Sequence, residues 1–176
     1  MNNEFVTNCL RGLHIRKTYI KSQTCKTDSM AITAMTDIES PAKKRIALVA
    51  HDNMKDEMLE WAQAHTAELA RHTLVGTGTT GRIVAEHTGL HVERLKSGPL
   101  GGDQQLGGRI AEGRIDIMMF FWDPLEPQPH DPDIKALLRI AAVWNIPVAC
   151  NRASADFIIS SPLISQVYQR RVPEYL

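Results

Sequence analysis

Cysteine is scarce in this chain of 176 residues: Cys9, Cys25 and Cys150 are the only three, odd in number and without a C-x-x-C spacing. That argues against a disulfide framework and a zinc site, and it fits a reducing, cytoplasmic compartment. An excess of charge of either sign is also missing, because 20 Lys and Arg balance 20 Asp and Glu. Bulk electrostatics therefore gives no reason to expect a nucleic-acid partner, although a local anion site stays open. No apolar run approaches the roughly 18 to 20 residues that span a bilayer, so no membrane association is expected. No grouping of histidines and carboxylates makes a metal site. What remains is a chain long enough for one domain with a substantial core.

Residues 1–42 carry scattered basic residues, many Ser and Thr, few acids and no sustained apolar periodicity. They are expected to be a disordered tail ahead of a single domain over 43–176. Their composition weakly resembles a transit peptide without the apolar core of a secretory signal, and a translation start at Met30 or Met35 is the blander alternative. From Lys43 onward, strands and helices alternate. Arg45–Ala50 is a continuously apolar run, as expected of a strand covered on both faces. Met54, Met58, Trp61, Ala62, His65 and Leu69 share one face at helical spacing. Further strands are expected at 73–75, 91–95, 115–122 and 146–150, the fourth of the five being the most apolar and so central. Helices fall between them, one stopping at Gly89, one at Gly113, and one opening with Asp131 as cap and Pro132 at its first position. This pattern predicts a parallel α/β sheet with helices on both faces.

Four polar clusters follow directly on the strand-like runs, and in a parallel sheet they share the carboxyl rim. The most informative is Ser97–Gln105, in which three glycines let backbone N–H groups approach a ligand and a carboxylate, Asp103, opens a helix whose positive end favours an anion. Asp103 is either a helix cap or a base with its second oxygen free. As a base beside a helix end it is expected to stay ionised without a raised pKa. Gly76–Gly81 matches G-x-G-x-x-G, but it follows the second strand, and no acid ends the third. Its three threonines fit a single phosphate better than a dinucleotide. His51 and Asp52 end the first strand with Lys55 one turn on. Asp52 capping a helix beside a solvated lysine, and Lys55 on a phosphate with His51 on a substrate oxygen, both suit that placement. The proline-studded loop from Trp122 to Asp133 holds Asp123, His130, Asp131 and Asp133 in a fixed relation, which suits a positioned acid-base group.

Taken in order, Ala50-His51-Asp52 with Lys55, Thr77-Gly78-Thr79-Thr80, Ser97 through Gln105, and Phe121 through Asp133 resemble methylglyoxal synthase over residues 44 to about 175. The resemblance implies a three-layer Rossmann-like α/β domain with a five-stranded parallel sheet, assembled as a homohexamer. It implies a lyase that eliminates phosphate from dihydroxyacetone phosphate through an enediolate, with no cofactor and no metal. Inorganic phosphate is then product and possible inhibitor. Asp103 becomes the base; His51, His130 and the Gly98 N–H polarise or protonate the substrate oxygens, with Asp133 assisting His130. Lys55, Thr77, Gly78, Thr79, Thr80 and Ser97 hold the phosphate, and Asp52 and Asp123 support them. Relatives commonly continue into a basic segment whose arginine reaches a neighbouring subunit's phosphate site; here Arg152, Arg170 and Arg171 are the candidates in its place. A non-catalytic regulatory module of the same fold, as in carbamoyl phosphate synthetase, is the alternative, discriminated by Asp103 and His130. A nicotinamide-dependent oxidoreductase rests only on the glycine pattern.

Overall fold

The computed structural model describes residues 34–127 and 129–174. In chain order these form β1 (Ala34–Ser40), β2 (Arg45–Ala50), α1 (Lys55–Ala64), α2 (Thr66–Leu69), β3 (Thr73–Gly76), α3 (Gly78–Thr88) and β4 (Val92–Arg94). There follow α4 (Gly102–Ala111), β5 (Ile117–Phe121), α5 (Asp131–Val143), β6 (Val148–Ala149), α6 (Arg152–Ser160) and β7 (Tyr168–Glu174). Strands β2 to β6 make one parallel sheet of five in the order β4-β3-β2-β5-β6. The expected α/β domain with a five-stranded parallel sheet is present. Among the described residues no helix is long and apolar enough to cross a membrane.

Period-2 alternation divides the core in two. Ile46 and Leu48 of β2, with Met119 and Phe121 of β5, pack against Met58 and Trp61 of α1, Val84 of α3 and Ile159 of α6. Ala47 and Val49, with Met118 and Phe120, face Leu106 and Ile110 of α4 and Leu137 and Ala141 of α5. Both faces of β2 and β5 are thereby covered, which is why their sequences read as unbroken apolar runs. The order places β2, not the more apolar β5, in the middle of the sheet; β5 is interior, one place off-centre. Chain direction across the sheet reverses beside β2, and a crevice at the carboxyl ends of the strands is the expected ligand position.

Three further expectations need correction. The tail does not extend to 42: Ala34–Ser40 pairs antiparallel with Tyr168–Glu174 over seven residues, from Ala34 opposite Glu174 to Ser40 opposite Tyr168. The remainder of the expected tail, residues 1–33, lies outside the described residues. The helix over 54–69 is broken at His65, where α1 ends and α2 begins. Asp131 does not cap α5; the capping position is His130, and Asp131 and Pro132 lie in the first turn. Gly89, by contrast, ends α3 in the left-handed conformation, at φ 72°.

Candidate active site

A cavity of about 100 Å³ opens at the carboxyl rim, lined by residues that follow four of the five parallel strands. After β2 come His51, Asp52 and Lys55; after β3, Thr77, Thr79 and Thr80; after β4, Ser97, Gly98 and Asp103; and His130 precedes α5. Of the residues expected to form the site, these ten line one cavity, while Gly78, Asp123 and Asp133 do not.

The glycine pattern after β3 has a packing cause. A Cβ on Gly76 would stand 2.5 Å from the Cα of Gly81, so this pair lets strand and helix touch. The Gly78 amide donates to the carbonyls of Leu95 and Lys96 at 3.1 Å each. It ties the two loops together and does not reach the cavity, which corrects its expected place on the phosphate. The N–H groups of Thr79 and Thr80, in the first turn of the 11-residue α3, have no carbonyl of their own helix to donate to and carry its positive end. Lys55 Nζ lies 2.5 Å from Asp52 Oδ1, and Asp52 makes no cap bond. A cation, a helix end and the hydroxyls of Thr77, Thr79, Thr80 and Ser97 thus line one cavity, an arrangement suited to phosphate.

The same cavity holds the acid-base groups. Asp103 sits in the first turn of α4, but Gly101 takes the capping position and no side chain caps the helix. Its carboxylate is buried, 6 % exposed, and Oδ2 has no hydrogen-bond partner. Burial pushes its pKa up, assisted by the neighbouring Asp133 charge and opposed by His130 and His51. Desolvation therefore outweighs the helix end, contrary to the expectation of an unraised pKa. A buried carboxylate with a free oxygen and raised proton affinity is a better base than a capping one. His130 Nε2 stands 3.7 Å from Asp103 Oδ2. A Cβ on Gly98 would meet both Asp103 oxygens and His130 Nε2 at 3.0–3.1 Å, so any larger residue would press on the two groups.

His51 is 7 % exposed, its ring 5.2 Å from that of Phe120 in an edge-on arrangement and 6.4 Å from that of His130. Nδ1 accepts the Asp123 backbone N–H at 3.3 Å, so it carries a lone pair and the proton belongs on Nε2. Burial lowers the His51 pKa and favours the neutral ring. His51 is therefore built to donate from Nε2, which is buried without a partner. Asp123 thus supports His51 with its backbone. Asp133 meets His130 only through the backbone, its N–H donating to the His130 carbonyl at 2.9 Å; the His130 Nδ1 is also without a partner, and the Asp133 charge is felt at Asp103.

None of Arg152, Arg170 and Arg171 lines the cavity. Arg152 pairs with Glu60 at 3.2 Å and Arg171 with Asp37 at 3.7 Å. Arg170 is buried at the amino rim beside Asp116. Sequence inspection missed the apolar lining at Val49, Phe120 and Ile134, which desolvates the histidines and the carboxylate. Phe120 on β5 and Ile134 on α5 belong to the core cluster between sheet and helix, and the packing of α5 on β5 brings them to the cavity.

The model of the MGS-like domain matches residues 57–150. A methylglyoxal synthase of Saccharophagus degradans is 64 % identical over 135 residues, 77 % of this chain and 88 % of the relative. One of Leptospira interrogans is 55 % identical over 141 residues, 80 % of this chain and 95 % of the relative. The crystal structure of methylglyoxal synthase from Elizabethkingia anophelis superposes with a TM-score of 0.76 at 53 % identity, covering 80 % of this chain and 92 % of that one. With acid-base groups and groups suited to an anion in one cavity at the carboxyl rim, these likenesses mean that the chain belongs to the methylglyoxal synthase family of methylglyoxal-forming lyases.

Proposed function

We propose that the substrate is dihydroxyacetone phosphate and that the reaction is an elimination through an enediolate. The observation that carries this reading is the buried Asp103 carboxylate, its Oδ2 without a partner and 3.7 Å from His130 Nε2, in one cavity with His51 and with groups suited to phosphate. Lys55, Thr77, Thr79, Thr80 and Ser97 hold the phosphate. Asp103 then removes a proton from the hydroxymethyl carbon, alpha to the ketone, and the electron pair moves into an enediolate. His51 donates its Nε2 proton toward the developing oxyanion, and His130, beside Asp103, serves the second substrate oxygen. Asp133 raises the proton affinity of the base. The C–O bond to phosphate breaks when it lies parallel to the enediolate π system, releasing inorganic phosphate and an enol that becomes methylglyoxal. An isomerase would have to prevent that alignment.

No step of this sequence calls for a cofactor or metal, and the product phosphate competes for the groups that hold the substrate phosphate. The catalytic unit is a homohexamer in this reading, checked by light scattering at micromolar concentration, where six chains are expected. The decisive assay is purified protein with dihydroxyacetone phosphate, following methylglyoxal and free phosphate together. Equal amounts of the two support the elimination; glyceraldehyde 3-phosphate without free phosphate would make the enzyme an isomerase instead.

A further inference from the structure

Two residues beyond His51, outside the cavity lining, Asn53 makes contacts that the reaction has not used. Its side-chain nitrogen carries two hydrogens, and it lies 3.0 Å from Asp123 Oδ2 and 2.9 Å from Glu126 Oε2. The other Asp123 oxygen accepts the Leu125 N–H at 3.0 Å, which fixes the turn, and the Asp123 N–H is the donor to His51 Nδ1 at 3.3 Å. The end of β2 is therefore held to the loop after β5 at two points, His51 and Asn53. The first of these is a long bond. The second places an amide between two carboxylates, and without it those like charges would face each other on one exposed turn. Movement of that turn would take the Asp123 N–H off His51 Nδ1, the hydrogen bond that sets this nitrogen apart from the unpartnered Nε2. The loop also leads on to His130.

We infer that Asn53 is a positioning residue: by clamping the Asp123–Glu126 turn it keeps the Asp123 N–H on His51 Nδ1 and so holds the His51 proton on Nε2, toward the substrate. The catalytic consequence rests on the reading of His51 as the donor to the substrate oxygen. Two variants separate the clamp from general stability. Asn53→Ala removes the amide, and Asn53→Asp keeps its shape but sets a third carboxylate against the other two.

Nitrogen NMR of the imidazoles in the ligand-free protein, with His51 assigned by its loss in His51→Gln, reads the tautomer directly. The wild type should show the Nε2–H form. Both variants should show a mixture, more so for Asn53→Asp, and kcat with dihydroxyacetone phosphate should fall about fivefold to tenfold with KM nearly unchanged. An unchanged tautomer in both variants would overturn the inference, whatever happens to Tm, because a merely structural asparagine would lower Tm and leave the imidazole spectrum alone. A tautomer shift with kcat unaltered would equally remove Asn53 from the reaction. Should the wild type make no methylglyoxal, the substrate reading fails, and the ligand-free spectra still decide whether the clamp exists.

Discussion

At Asp103, function and stability oppose each other. The folded state holds a proton on this carboxyl more readily than the unfolded chain does, because burial raises its pKa. Between the ordinary carboxylate value and the raised one the folded state binds more protons, so this group makes stability fall as pH rises through that window, and the full cost is present above the raised value. Asp103→Asn should therefore melt at a higher temperature than wild type at pH 7, a gain that disappears below the usual carboxylate range, while kcat drops by about a hundredfold or more. Activity within about tenfold of wild type would remove Asp103 from the role of base. The pH profile carries a second prediction. His51 is held below the ordinary histidine value of about 6.5 by burial, and the ring must be neutral while Asp103 is ionised. Both requirements fail in acid, so kcat/KM should fall on a single acid side below neutrality. Its apparent midpoint belongs to the coupled pair and should move in His51→Gln. Gly98→Ala tests the space between the groups: its Cβ meets Asp103 and His130 at 3.0–3.1 Å, and turnover should fall about tenfold or more with little change in Tm.

Elements differ in how far local sequence reveals them. Strand β2 was legible to the residue because both its faces are covered, and the polar clusters were legible because each stands where a parallel strand must end. The β1–β7 ribbon was not. Ala34–Ser40 is exposed along most of its length and is held by backbone pairing with a distant strand, while Tyr168–Glu174 contains Arg170, Arg171 and Pro173, which disguise it as a strand. Likewise the raised pKa of Asp103 depends on what α5 and β5 lay over it, which no local pattern records. The ribbon gives a prediction of its own. Val172, 1 % exposed, and Lys44, whose Nζ donates to the carbonyls of Ser40, Pro41 and Gln166, both depend on β1 staying in place. A chain that lacks residues 1–40 should melt roughly 5 °C or more below one that lacks only 1–33. Equal melting temperatures for the two truncations would mean that β7 holds without its partner.

Across the whole molecule, chemistry and one concentration of stability occupy opposite rims of the sheet. The carboxyl rim carries the cavity with three buried polar atoms lacking partners, Asp103 Oδ2, His51 Nε2 and His130 Nδ1, a state that substrate can relieve. At the amino rim Asp116, 1 % exposed, accepts from the Arg45 backbone at 2.9 Å and from two nitrogens of its guanidinium at 2.7 Å each. Arg170 lies 3.9 Å from the same carboxylate and donates to the Trp144 carbonyl at 3.0 Å, which joins β7 to the body of the domain. Asp116→Asn would leave a wholly buried guanidinium and a partly buried one without their counter-charge, at a cost of about 3 kcal/mol, which corresponds to roughly 10 °C in Tm. The sheet's length separates that carboxylate from the cavity, and effects of distant sites add. Below the variant's unfolding transition, calorimetry should therefore give a phosphate dissociation constant within about twofold of wild type. Phosphate should also raise Tm in both proteins, because it binds only the folded chain. Loss of phosphate affinity in step with Tm would show instead that the amino rim sets the geometry of the carboxyl one, and the arginine on β7 would then belong to the site as well as to the fold.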